Sequence, residues 1–170
     1  ASQAARKKEV LSGLKDVLGA LGQNRAAEGS RIAKALFEQL NTIIKLCGQA
    51  EKLAALQPDN IREKLHQQVA ELLDAVPGLP EERLAQEAAV LMTKADVREE
   101  LDRLQAHIEA ARALMEEGGV IGRRLDFLCQ EFNREANTLC SKAADVELSK
   151  VGLELKAVIE QYREQVQNIE

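Results

Sequence analysis

A chain of 170 residues with 3 prolines, 2% aromatic side chains and a formal net charge of −5 excludes several classes at once. The negative balance argues against a surface that simply coats polyanions, and no apolar run reaches the roughly 20 residues of a membrane span. Ala, Leu, Glu, Gln, Arg and Lys dominate without any alternating apolar pattern, which predicts an all-α protein with enough length for a core of its own.

The elements follow in order. Residues 2–21 carry Val10, Leu14, Val17 and Leu21 in the 4-3-4 rhythm of an amphipathic helix, weakened near its end by Gly19 and Gly22. Arg6, Lys7 and Lys8 form a solvated face of it. Ile32, Leu36, Leu40, Ile43, Cys47, Ala50 and Ala54 seam a second helix over 24–56, which Pro58 interrupts. Ile61, Leu65, Val69, Leu72 and Val76 seam a third over 59–75, with His66 on its surface. Val76-Pro77-Gly78-Leu79-Pro80 is the strongest break in the chain. It divides an expected long antiparallel helical hairpin, or stalk, over 1–76 from an expected compact helical domain over 81–170.

After the break, 81–93 reads as a helix with Leu84, Ala88 and Leu91 inward. Asp96 opens the next helix in an Asp-x-x-Glu capping pattern with Glu99, and Val97, Leu101, Leu104, Ile108, Ala111 and Met115 give it a clean stripe. Glu117-Gly118-Gly119 stops it. Gly122–Lys142 then buries Leu125, Leu128, Phe132, Ala136 and Leu139 on one stripe. Arg124, Glu131, Glu135 and Lys142 fall in a column beside that stripe, and Arg123, Asp126, Gln130, Asn133, Arg134 and Asn137 fall on the far side. A last helix over 144–168 is seamed by Leu148, Val151, Leu155, Val158, Tyr162, Val166 and Ile169.

Chemistry concentrates on two of these helices. Asp96, Glu100, Arg103 and His107 form one column at i, i+4, i+7 and i+11. Glu100 and His107 lie about 10 Å apart along a straight helix, so a metal shared by both needs a neighbouring helix. The Gly122–Lys142 helix offers Glu131 and Glu135, whose like charges at i, i+4 disfavour a helix by roughly 0.2–0.5 kcal/mol unless a cation meets them. That cation is either a basic side chain such as Arg103, Arg124 or Lys142, or a divalent ion. Asn133 and Asn137 cost helix propensity, about half a kcal/mol each, which a hydrogen-bonding partner would offset. Residues 81–117 hold ten carboxylates against five Arg and Lys, and a cation screening such an acidic floor often accompanies phosphate chemistry. A Gly-rich phosphate loop, an H-E-x-x-H motif and a nucleophile elbow are all missing from the sequence. Phe37, Phe127, Phe132 and Tyr162 are the only rings that could stack on bases, and two of them belong to core seams, so base stacking is not expected. Recognition of RNA by shape, through Arg and Lys, stays open.

Three cysteines, Cys47, Cys129 and Cys140, leave one unpaired in any disulfide scheme and none forms a C-x-x-C pair, which reads as free thiols in a reducing, cytoplasmic setting. The chain opens at Ala1 without an initiator Met and reads as a piece of a longer protein.

The strings GRRLDFLCQEFNREANTLCSK at Gly122–Lys142 and LELKAVIEQYREQVQNIE at 153–170 closely resemble the C-terminal end of the bacterial YicC-like (YicC/YloC) proteins. EERLAQEAAVLMTKADVREELDRLQAH at 81–107 resembles the segment preceding it in that family, and NRAAEG at 24–29 its Arg-x-x-Glu-Gly step. The resemblance implies a cytoplasmic, metal-dependent endoribonuclease in which a mixed N-terminal domain precedes this helical region. It also implies a ring-like homo-oligomer needing that domain, RNA as substrate and an exoribonuclease as candidate partner. Nothing in this sequence resembles the N-terminal domain.

On residues and resemblance together, Asp96, Glu100, Glu131 and Glu135 are the expected ligands of a divalent ion, Mg or Mn in preference to Zn. His107, Glu131 and Glu135 are the expected catalytic groups, with His107 as proton carrier or outer ligand. Arg103, Arg123, Arg124, Arg134, Asn133 and Asn137 are the expected RNA-phosphate contacts. The alternative is a non-catalytic helical scaffold that assembles RNA-decay proteins and uses the same Arg/Glu surface as its interface.

Overall fold

A computed structural model of the chain describes residues 3–75 and 81–169. The expected break at 76–80 lies outside the described residues, as do the side chains of His66, Val69, Leu72 and Leu84.

The described chain is all-α, in five helices: α1 (Gln3–Ala75), α2 (Glu81–Lys94), α3 (Arg98–Glu117), α4 (Gly122–Lys142) and α5 (Val146–Val166). The hairpin expected over 1–76 is not two helices, because Gln3–Ala75 is one continuous helix of 73 residues with Pro58 inside it. Pro58 is followed by the turn formers Asp59 and Asn60, yet the helix runs through all three. A lone proline removes one backbone bond and can be absorbed when the turns on both sides are held. Here Leu53 and Ala54 pack on the core just before Pro58, and Gln57 donates from Nε2 to the Lys142 carbonyl at 3.3 Å.

The middle of α1 joins α3, α4 and α5 in a four-helix bundle. α1 packs on α3 and α5, and α4 packs on those same two helices. Cross-contacts give the directions. Arg112 of α3 reaches Asn41 at 3.4 Å, whereas the start of α3 lies near Ala54 and Pro58. The end of α5 lies near Ile32 and Leu36, and its approach lies near Asn60 and Lys64. Neighbours around the ring therefore run antiparallel, as short connections dictate. One core spans the expected boundary, with Leu36, Leu40, Ile43, Cys47 and Ala50 of α1 buried beside Leu104, Phe132, Leu139, Leu155 and Ile159.

Local chemistry sets the corners. Gly118 and Gly119 adopt φ of 70° and 77°, a left-handed conformation glycine takes without Cβ strain, and the Gly118 amide closes α3 on the Leu114 carbonyl at 3.1 Å. The resulting connection, 118–121, brings α4 straight back along α3. Against α5, α4 approaches closely at Gly152, where a Cβ would come within 2.6 Å of Cys140 Sγ. Tyr162 is fully buried, and its hydroxyl donates to Met115 Sδ at 3.4 Å. Burial pushes the Tyr162 hydroxyl's pKa upward and raises the Cys47 and Cys129 thiols to about 12. All three cysteines are free.

Residues 3–31 of α1 are exposed along their whole length. Val10 is 70% and Leu14 52% exposed, and Leu11, Val17, Leu18 and Leu21 are exposed with them. At 1.5 Å per residue this leaves about 40 Å of helix carrying an apolar seam that the chain does not itself cover.

Candidate functional site

The antiparallel register of α3 and α4 puts successive side chains face to face. Lys142 meets Glu100, Arg103 meets Glu135, His107 meets Phe132, and Arg124 meets Glu117. In the middle of this line, His107 of α3 and Glu131 and Glu135 of α4 place one ligand atom each within 4.8 Å of one another. The trio forms because Glu131 and Glu135 share a face of α4 one turn apart, and the tight α3–α4 connection sets that face against His107. Glu135 is 2% exposed; His107 and Glu131 are half-buried. The His107 ring is edge-on to the fully buried Phe132 ring, centroids 6.1 Å apart, so the core fixes the imidazole from behind.

Two carboxylates and one imidazole at this spacing form a donor set that suits a divalent ion. Carboxylates suit Mg²⁺ and Mn²⁺, and the imidazole moves the preference away from Mg²⁺ towards Mn²⁺ and its heavier neighbours. A buried carboxylate also needs a positive partner. Arg103 is the protein's own: it reaches Glu135 Oε1 at 3.5 Å and pairs with Glu99 one turn back on α3.

Asp96 and Glu100 do not join the trio. Asp96 chelates the Arg98 side chain at 2.6–3.1 Å and accepts the Arg98 backbone N–H at 3.0 Å. Val97 and not Asp96 is the N-cap of α3, and Glu99 pairs with Arg103, so the expected Asp-x-x-Glu capping pattern does not form. Asp96 instead satisfies the Arg98 amide from one residue further out, and the Arg98 hydrogen bonds hold its carboxyl at about 2. Glu100 is 3% exposed and its Oε1 accepts from Lys142 Nζ at 2.8 Å. Lys142 also donates to the Asp96 carbonyl at 3.1 Å. Both acids are occupied as structural anchors, Glu100 about two turns along α3 from His107 and Asp96 just ahead of the helix, about a turn further off.

The expected phosphate contacts divide into three sets. Arg103 and Arg134 flank the trio, Arg134 reaching Glu131 Oε2 at 3.7 Å. Arg123 and Arg124 lie further along α4, with Arg124 on Glu117 at 3.2 Å. Asn133 and Asn137 turn towards α5: they line a shallow surface hollow with Arg134 and Arg163, and Asn133 Nδ2 donates to Glu160 at 3.5 Å. Arg163, absent from the sequence-based candidates, faces Asp126 at 3.6 Å and Glu160 at 3.9 Å. It sits next to the buried Tyr162, but the seam spacing of α5 alone does not say which neighbour it meets.

Comparison with known proteins gives the family. Residues 50–170 match the family model described as "Endoribonuclease YicC-like, C-terminal". The chain is 36% identical over 157 residues to a Clostridioides difficile protein named "Probable endoribonuclease YicC", covering 92% of this chain and 54% of that protein. It is 34% identical over 166 residues to a Haemophilus influenzae protein of the same name, covering 98% of this chain and 57% of that one. The chain thus spans about half the length of the curated relatives it matches. Helices α2 to α5 and the last third of Gln3–Ala75 fall inside the matched region, and the chain belongs to the YicC-like endoribonuclease family.

Proposed function

We propose that the α3–α4 groove is the RNA-cleaving centre of a divalent-metal-dependent endoribonuclease acting in RNA turnover. The observation carrying this reading is the convergence of His107, Glu131 and Glu135 within 4.8 Å in a chain similar to proteins named as probable endoribonucleases. Glu131, Glu135 and His107 would hold the ion, Mn²⁺ or Mg²⁺, and the ion would supply a Lewis acid for phosphoryl oxygen and a lowered pKa for water. Arg103 beside Glu135 and Arg134 beside Glu131 would orient the phosphodiester. Phe132 behind His107 keeps the imidazole turned towards the groove.

Cytoplasmic action fits the three free thiols and, among the described residues, the lack of any helix long and apolar enough to cross a membrane. Assembly is proposed through the exposed α1 seam of Val10, Leu14, Val17 and Leu21, which can pair with further copies in a ring or with another domain. That seam also supports the second reading, a scaffold for RNA-decay proteins such as an exoribonuclease.

The discriminating experiment is incubation of the protein with structured RNA, with and without chelator. Cleavage that stops with chelator and returns with added Mn²⁺ is the expected result. Undiminished cleavage in chelator would remove the metal mechanism, and tight protein binding without cleavage would favour the scaffold.

A further inference from the structure

The chain has four aromatic residues. Phe132 and Tyr162 are fully buried, Phe37 is 36% exposed, and Phe127 is 60% exposed. Of these rings Phe127 alone lies mostly in solvent, where its face can stack on a planar group. Phe127 stands one helical turn before Glu131 on the same face of α4. Opposite it on α3, Ala110 lies one turn beyond His107. The groove between them, about 570 Å³, is lined by Ala110, Ala113, Leu114 and Leu128 with Arg123, Arg124, Phe127 and one carboxylate, Glu117, whose charge Arg124 meets. It lies about one helical turn along α3 and α4 from the trio.

Each part fits a nucleobase next to a phosphate. The two alanines leave room for a planar group against the phenyl ring. The arginines set positive charge at the rim, where the sugar-phosphate chain of a stacked nucleotide passes. Arg124 is held by Glu117, and among the described residues Arg123 has no recorded acceptor, so it is the one available to a phosphate. A base within a duplex is stacked on its neighbours and cannot offer its face to a side chain.

We infer that Phe127 is the stacking platform for one unpaired RNA base adjoining the cleavage centre, with Arg123 on its phosphate. The substrate at this site is therefore single-stranded or looped RNA. This rests on the endoribonuclease reading for its meaning, but the subsite can be tested by binding alone. The exposed Phe127 reopens base stacking, which the sequence argued against because aromatics are few.

The test measures binding of a short single-stranded oligoribonucleotide carrying 2-aminopurine, in chelator so that nothing is cleaved. It is run on the protein and its Phe127→Ala, Phe127→Leu, Phe127→Trp and Arg123→Ala variants. Stacking predicts affinity falling roughly ten- to hundredfold in Phe127→Ala and in Phe127→Leu, with Phe127→Trp at or above the parent level. Arg123→Ala lowers the slope of log affinity against log salt by about one. A fully paired duplex of the same sequence is insensitive to Phe127. Equal affinity in Phe127→Ala and the parent would overturn the subsite, as would a Leu variant that binds like the parent. A change in oligomeric mass in Phe127→Ala with RNA binding intact would also overturn it and make the groove a protein interface. Phe127-dependent binding by a protein that never cleaves would sink the endoribonuclease reading and leave the subsite standing.

Discussion

Glu135→Gln lowers RNA cleavage about a thousandfold, the scale on which enzymes lose a group that takes part in the chemical step, while thermal stability changes little. The contrast follows from position. Glu135 is nearly completely buried against Arg103, and Gln keeps its volume and one acceptor oxygen while removing the charge that an ion needs. Arg103 retains Glu99 and is itself half-exposed, so the change strands no cation. His107→Ala and Glu131→Gln lower activity on the same scale, and combining all three adds little because the groups act as one unit. Glu87→Gln, on the far helix α2, keeps the parent rate. Rates are measured under single-turnover conditions with thermal melts of each variant alongside. A Glu135→Gln protein that cleaves at the parent rate would remove Glu135 from the chemistry.

The largest stability effect belongs to Lys142→Met. Among the described residues, Lys142 is the only partner of the buried Glu100 carboxylate, whose second oxygen has no hydrogen bond. It also donates to the Asp96 carbonyl, and its own carbonyl receives Gln57 of α1. Removing it leaves a carboxylate about nine-tenths or more buried without a cation, which costs about 3 kcal/mol. In a domain of this size that lowers Tm by roughly 6–12 °C. Glu100→Met/Lys142→Met together recovers most of the loss, because an apolar pair in that place avoids the desolvation that only good pairing repays. Denaturant melts of the two single variants and the double test this. A double variant no more stable than Lys142→Met would show that the ion pair contributes more than its own desolvation.

Much of this was legible in the sequence, and the misses have physical causes. The stripes of Leu125, Leu128, Phe132, Ala136 and Leu139 and of Leu101, Leu104, Ile108 and Ala111 are buried as their spacing requires. His107, Glu131 and Glu135 were recoverable because the Gly118-Gly119 stop is short enough to force α4 back along α3. Register across that pair was not legible, since periodicity fixes which face a residue occupies and not which residue it opposes. Hence Asp96 and Glu100 were grouped with the trio although Arg98 and Lys142 hold them. Gly22 and Pro58 read as helix ends, yet α1 runs through both, at Pro58 because Leu53, Ala54 and Gln57 are held by packing and a hydrogen bond that local sequence does not reveal. Phe127 was visible off the α4 stripe throughout. Only its exposure and the alanines facing it give it a role.

The central claim is that His107, Glu131 and Glu135 form one divalent-ion site, and Mn²⁺ binding followed by electron paramagnetic resonance tests it most directly. The free-ion signal is titrated with the protein and with its His107→Ala, Glu131→Gln and Glu135→Gln variants. The expected result is one Mn²⁺ held per chain by the parent, with affinity lost by at least about tenfold in each variant and unchanged in Glu87→Gln. Mn²⁺ held equally well by all three variants, or not held by the parent at all, would contradict the account.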